Sequence, residues 1–83
     1  MEIELFVSHS FKPCRDAERI CGEVAGEQGV ELAIVDINSQ DGGARAQRLG
    51  IKMVPALAIN GRLLAIGVQT PEEVRDLLAA ARR

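Results

Sequence analysis

A strand, a helix and a second strand follow one another at the start of this chain, and that order restricts the fold more than any other feature of the sequence. Ile3, Leu5 and Val7 alternate with Glu2, Glu4 and Phe6, the pattern of a strand over residues 2 to 7. From Pro13 the period changes. Proline suits the first turn of a helix, where its missing N–H costs nothing. Ala17, Ile20, Cys21, Val24 and Ala25 then recur at three- and four-residue spacing and mark one apolar helical face, with Gly26 and Gly29 ending the helix. Glu31-Leu-Ala-Ile-Val-Asp36 is a second strand, apolar enough for burial on both faces. Two strands joined through a helix pair in parallel, with a right-handed crossover.

The second half adds an antiparallel element. Asn60-Gly61-Arg62 separates Ala56-Leu-Ala-Ile59 from Leu63-Leu-Ala-Ile66, and Asn-Gly between apolar runs is the strongest short hairpin signal. Between the halves, Asn38 to Gly43 reads as a polar loop and Ala44 to Leu49 as a short helix stopped by Gly50. Thr70-Pro-Glu-Glu73 is a capping box with proline at the first helical position. It opens a last helix that runs to Ala79-Ala-Ala-Arg-Arg83, where the arginines complement the helix dipole. The predicted fold is therefore α/β, in the order β-α-β-α-β-β-α, with a four-stranded mixed sheet and helices on both faces. No repeat, linker or low-complexity segment interrupts residues 1–83, which are expected to form one domain.

Composition narrows the function classes. Aromatic residues make up 2% of the chain, which removes the stacking platforms used to hold single-stranded nucleic acid. The formal net charge is -2, so no basic field gathers phosphates. Nucleic acid is not an expected partner. No apolar run approaches the roughly 20 residues of a membrane span, and Glu2 and Glu4 stand where a signal peptide would be basic. The expected location is cytoplasmic, where two cysteines are more often free thiols than a structural bridge.

The chain resembles the small thioredoxin-like and glutaredoxin-like proteins. The residues that carry the resemblance are Gly50-Ile-Lys-Met-Val-Pro-Ala-Leu-Ala-Ile-Asn-Gly-Arg62, the capped helix after them, and the first strand's end at Leu5-Phe-Val-Ser8. The resemblance implies that Val54-Pro55 is the aliphatic–cis-proline pair that begins the third strand, beside the active site. It also implies that Cys14 occupies the second active-site cysteine position. The motif Cys-x-x-Cys falls on Phe11-Lys12-Pro13-Cys14, so Phe11 replaces the attacking cysteine, and His9 stands where proline is common.

Each candidate residue has a plain reading beside the functional one. Cys14, in the first turn of a helix with Lys12 and Arg15 as neighbours, has surroundings that favour a nucleophilic thiolate. A shielded cysteine is instead a small apolar residue. Phe11 either plugs the space of the missing thiol or projects as an anchor for a partner. A cis proline at Pro55 would leave the backbone of Val54 free to pair with an extended peptide or glutathione. Cys21 lies two turns beyond Cys14, about 10 Å along the helix, too far for a disulfide, and reads as core. His9-x4-Cys14-x6-Cys21 matches no common metal-ligand spacing. Asp36 and Asp41 read as ordinary strand-end and loop carboxylates.

Three functions are compatible with these residues. The first is a one-cysteine thiol module, related to the thiol–disulfide oxidoreductases, in which Cys14 forms mixed disulfides with a protein or glutathione but does not support dithiol turnover. The second is a redox-inactive binding module that uses the Phe11 loop, with Lys12 and Pro13, and the Val54-Pro55 loop. The third is a small metal-handling domain. No cofactor is expected.

Overall fold

The computed structural model describes residues 1–83. Its elements are β1 (Ile3–Val7), α1 (Lys12–Gln28), β2 (Leu32–Asp36), α2 (Gln40–Arg48), β3 (Ala56–Ile59), β4 (Arg62–Ile66) and α3 (Pro71–Ala81). The four strands form one sheet in the order β2-β1-β3-β4. β1 pairs in parallel with β2 and antiparallel with β3, and β3 pairs antiparallel with β4. The α/β architecture expected from the element order is the one the chain adopts.

Alternation along the central strands divides the core between two faces. Ile3, Leu5, Val7, Leu57 and Ile59 point to one face, where Cys14, Ala17, Cys21 and Val24 of α1 and Val74 and Leu78 of α3 cover them. Phe6, Ala56 and Ala58 point to the other, with Val35 of β2 and Ala46 of α2. Every side chain of β1 and β3 is buried, because both strands are flanked by strands and covered on both faces.

Local signals place the element ends. Asn60 and Gly61 both take positive φ, 52° and 78°, as a two-residue type I′ turn requires. The turn is also pinned to the start of β1: Glu2 N–H donates to Asn60 Oδ1 at 3.0 Å, and Asn60 N–H donates to Glu2 O at 2.8 Å. The capping box of α3 is complete, with Glu73 N–H donating to Thr70 Oγ1 at 3.1 Å and Thr70 N–H donating to Glu73 Oε1 at 2.8 Å.

Four details differ from the sequence expectation. Helix α1 runs through Gly26 to Gln28 and is ended by Gly29 alone, at φ 65°. Strand β2 is not buried on both faces. It forms one edge of the sheet, so Ala33 and Ile34 are exposed and Val35 is the buried residue. Helix α2 begins at Gln40, not Ala44, because Ser39 caps it: its Oγ accepts from Gly42 N–H at 2.9 Å and donates to Asp36 O at 2.7 Å. Glu4, alternating as a polar residue, lies at 7% exposure, paired with Arg45 of α2.

The helix α2 start depends on glycine for a steric reason. A Cβ at Gly42 would sit 2.0 Å from the main-chain oxygen of Asp36. Helix propensity alone favours alanine over glycine by about 1 kcal/mol, yet overpacking costs roughly 1–3 kcal/mol. Gly42→Ala is expected to lower stability by about 2 kcal/mol in urea unfolding, the balance falling on the steric side. Gly26 has nothing within 4 Å of such a Cβ. Gly26→Ala is therefore expected to raise stability by about 0.5–1 kcal/mol in the same assay.

Two exposed carboxylates make stability pH-dependent. The Arg75 guanidinium, bonded through Nε and Nη2 at 3.0 and 2.9 Å, holds the Glu27 carboxyl below its usual 4.5. The Thr70 main-chain N–H and hydroxyl do the same for Glu73. A depressed carboxyl stabilises the fold above its unfolded value, and that contribution is lost as pH falls through the folded value. The midpoint of thermal unfolding is thus expected to drop as pH is lowered below about 4.5. The double variant Glu27→Gln/Glu73→Gln is expected to start lower at neutral pH and to lose less on acidification.

Candidate functional site

Register brings the separate candidate segments together. Phe6 lies opposite Ala56 in the antiparallel β1–β3 pair. Val54 and Pro55 therefore lead into β3 at the end of the sheet where β1 gives way to the loop before α1, and Val54 packs against the core cluster that contains Cys14. The Val54–Pro55 bond is cis. The Pro55 carbonyl accepts from Gly67 N–H at 2.8 Å, which ties the loop after β4 to the same place. The main-chain N–H and C=O of Val54 enter no hydrogen bond within the fold.

Cys14 is attached to this point through its sulfur. Ser8 N–H donates to Cys14 Sγ at 3.4 Å, within the range for a sulfur acceptor. The thiol is in the first turn of α1 and is 1% exposed. The turn above it is closed by Phe11 N–H donating to Ser8 O at 3.0 Å and Cys14 N–H donating to Phe11 O at 3.0 Å. Phe11 stands outside α1 as its N-cap residue, extended at φ -105° and ψ 111°, with Pro13 in the first turn.

Phe11 does not fill the core. It is 47% exposed, and Met53, just before Val54, is 67% exposed. Ile66 and Val68 are also exposed, and they sit at this end of the sheet because Ile66 pairs with Ala56. Phe11, Met53, Ile66 and Val68 thus expose apolar side chains on the segments that flank this end of the sheet. Lys12 and His9 are exposed in the same region. The concavities of the surface lie elsewhere; the largest, about 330 Å³, is lined by Met1–Glu4, Glu31–Ala33 and Arg45. Exposed apolar side chains beside an unpaired main-chain segment suit an extended protein segment better than a small enclosed ligand.

Cys21 is apart from this surface. It is buried in the α1 face of the core, and burial pushes its thiol up to about 11. Both cysteines are free thiols. No group of three or more His, Cys, Asp or Glu side chains is placed to hold a metal ion, and no helix is long and apolar enough to cross a membrane. Sequence reasoning missed Asn38. Its Nδ2 donates to Ser8 Oγ at 3.2 Å, and its own N–H donates to Asp36 Oδ1 at 2.8 Å. The Asp-x-Asn spacing of an Asx turn was the available signal.

A central strand leading into a helix with a thiol in its first turn, faced by a proline loop before an antiparallel hairpin, defines a thioredoxin-like protein. The solved structures agree: a variant thioredoxin of Halobacterium salinarum matches with a TM-score of 0.78 at 22% identity, covering 95% of this chain and 72% of its own. A thioredoxin of Thermosipho africanus matches with a TM-score of 0.73 at 18% identity, covering 100% of both chains.

Sequence relatives carry the assignment from fold to family. The Thioredoxin domain family matches residues 1–79. A protein described as a probable thioredoxin from Archaeoglobus fulgidus is 37% identical over 76 residues, covering 92% of this chain and 84% of the relative. A thioredoxin of Methanocaldococcus jannaschii is 36% identical over 78 residues, covering 94% and 92%. The chain belongs to the thioredoxin family.

Proposed function

We propose that this protein is a thiol module of the thioredoxin family that grips thiol- or disulfide-bearing partners at the Phe11–Val54–Pro55 surface and carries one exchange-competent thiol, Cys14. The observation that carries the reading is the 3.4 Å contact between Ser8 N–H and Cys14 Sγ. It keeps the sulfur at the end of β1, the end of the sheet at which Val54 and Pro55 lead into β3. An extended partner segment pairing with Val54 would present its sulfur next to the first turn of α1, where Cys14 lies.

The chemistry available to one thiol is a single exchange. The Cys14 thiolate attacks one sulfur of a disulfide such as oxidised glutathione. A Cys14–glutathione disulfide forms, the original S–S bond breaks, and one glutathione leaves as thiolate. With Phe11 in the attacking position, no adjacent thiol resolves the product, and turnover needs an outside thiol. Free, buried cysteines suit a reducing compartment such as the cytoplasm, where glutathione is abundant.

Intact-mass analysis of native protein after oxidised glutathione tests this. One adduct is expected on the wild type and none on Cys14→Ser, while Cys21→Ser keeps it. A wild type that stays unmodified while folded would remove Cys14 from the mechanism. The exposure of Phe11 and Met53 favours a second reading, a redox-inactive binding module on the same surface. Under that reading Cys14→Ser is silent and Phe11→Ala loses the partner.

A further inference from the structure

We propose that Asn38, through Ser8, positions the loop between β1 and α1 and thereby sets how accessible Cys14 is. This rests on the reading of Cys14 as the exchange-competent thiol. The thiol is sealed at 1% exposure, so reaction at its sulfur requires the Ser8–Phe11 turn to move. That turn is short and surface-exposed, and its tether to the rest of the fold is a polar relay. Asp36 Oδ1 accepts from Asn38 N–H at 2.8 Å and fixes the Asn38 main chain at the end of β2. Asn38 Nδ2 then donates to Ser8 Oγ at 3.2 Å, thirty residues away in sequence. Ser8 Oγ lies 3.1 Å from Ser10 Oγ, and Ser8 N–H is the group bonded to the sulfur.

The relay links the end of β2 to the residue that follows β1. Ile37 N–H donates to Val7 O at 3.0 Å, so the segment carrying Asn38 is already anchored to the end of β1. The Asn38 amide extends that anchoring one residue further, to Ser8. Without it, Ser8 keeps its bond to the sulfur and to Phe11 N–H but loses its cross-strand support, and the turn opens more often.

Cys21 provides the control. It lies on the same helix, is buried in the core, and touches none of the relay. Local opening of the turn exposes Cys14 and leaves Cys21 covered; global unfolding exposes both. The experiment is the rate of iodoacetamide alkylation of each cysteine in the native protein, resolved by peptide mass, for the wild type, Asn38→Ala and Asn38→Asp. Asn38→Ala is expected to raise the Cys14 rate by about two- to tenfold, as loss of one hydrogen bond implies, with the Cys21 rate unchanged. Asn38→Asp can still accept from the Ser8 hydroxyl and is expected to stay near the wild type.

An unchanged Cys14 rate in Asn38→Ala overturns the proposal, as does a parallel rise at both cysteines. An aspartate variant as fast as the alanine variant overturns the hydrogen-bond account. These outcomes are separate from the glutathione test: alkylation reports access to the sulfur even if no glutathione adduct forms on any variant.

Discussion

Phe11→Cys is expected to give the protein a dithiol activity that the wild type lacks. Residue 11 caps α1 and residue 14 lies three positions on; side chains at that spacing approach within about 5–6 Å at Cβ in a helix. Small adjustments of the cap bring them to the roughly 4 Å that a disulfide needs. The roles follow from exposure. Phe11 faces solvent and Cys14 is sealed, so the introduced thiol attacks a substrate disulfide and forms a mixed disulfide. Cys14 then attacks the introduced sulfur, the substrate leaves as a thiolate, and a disulfide joins positions 11 and 14. The assay is insulin reduction with dithiothreitol as the electron source. The wild type is expected to stay at the uncatalysed rate, and the variant to exceed it by roughly tenfold or more, because the resolving thiol is held within reach of the mixed disulfide. A folded Phe11→Cys protein with no activity would show that the two positions are not aligned for exchange. Phe11→Cys/Cys14→Ser is expected to trap the mixed disulfide.

Arg45→Ala is expected to cost about 3 kcal/mol, near the lower end of what breaking a buried ion pair costs. The Glu4 carboxylate points into the α2 face of the sheet at 7% exposure, and Arg45 is its ion-pair partner. The guanidinium also lies 5.9 Å from the centroid of the Phe6 ring, over a fully buried aromatic. Its removal leaves a buried carboxylate unpaired and strips a cation from the ring. Arg45 is about a third exposed, so water compensates in part and the loss stays below that of a fully sequestered pair. A midpoint shift of about 4–8 °C per kcal/mol is usual for a domain of this size, so calorimetry should read roughly 12–24 °C. Glu4→Leu/Arg45→Leu, which removes both charges, is expected to recover most of the loss. If the single and double variants melt together, the pair does not hold α2 on the sheet.

The parts of this fold that short-range rules govern are legible residue by residue. Asn60-Gly61 specifies its turn because two consecutive positive φ angles are cheap for that dipeptide. Thr70-Pro-Glu-Glu73 specifies the start of α3 because its hydrogen bonds close within four residues. The period-3.6 stripe of α1 and the β-α-β order then leave little choice of topology. The same rules misjudge α2. Gly42-Gly43 carries a loop composition, and what makes glycine necessary there is the carbonyl of Asp36 against the helix's first turn.

The candidate site divides along the same line. Phe11, Lys12, Pro13, Cys14, Val54 and Pro55 can be found in the sequence because they fall on a family pattern, and Cys21 can be set aside by helical rise alone. Their environment is another matter. Whether Phe11 fills the core or faces solvent depends on how much space α1 leaves over the end of β1. The burial of Cys14 depends on Ser8 and on the turn that closes above it.

Element order, the hairpin turn type and the α3 cap were thus determined by the sequence itself, since each rests on backbone preferences and hydrogen bonds within a few residues. Tertiary structure alone decided that β2 is an exposed edge, that Glu4 is buried against Arg45, and that Asn38 reaches Ser8. The physical reason is that burial and pairing depend on which surfaces meet across the fold, and a residue's chain neighbours carry no record of what lies opposite it.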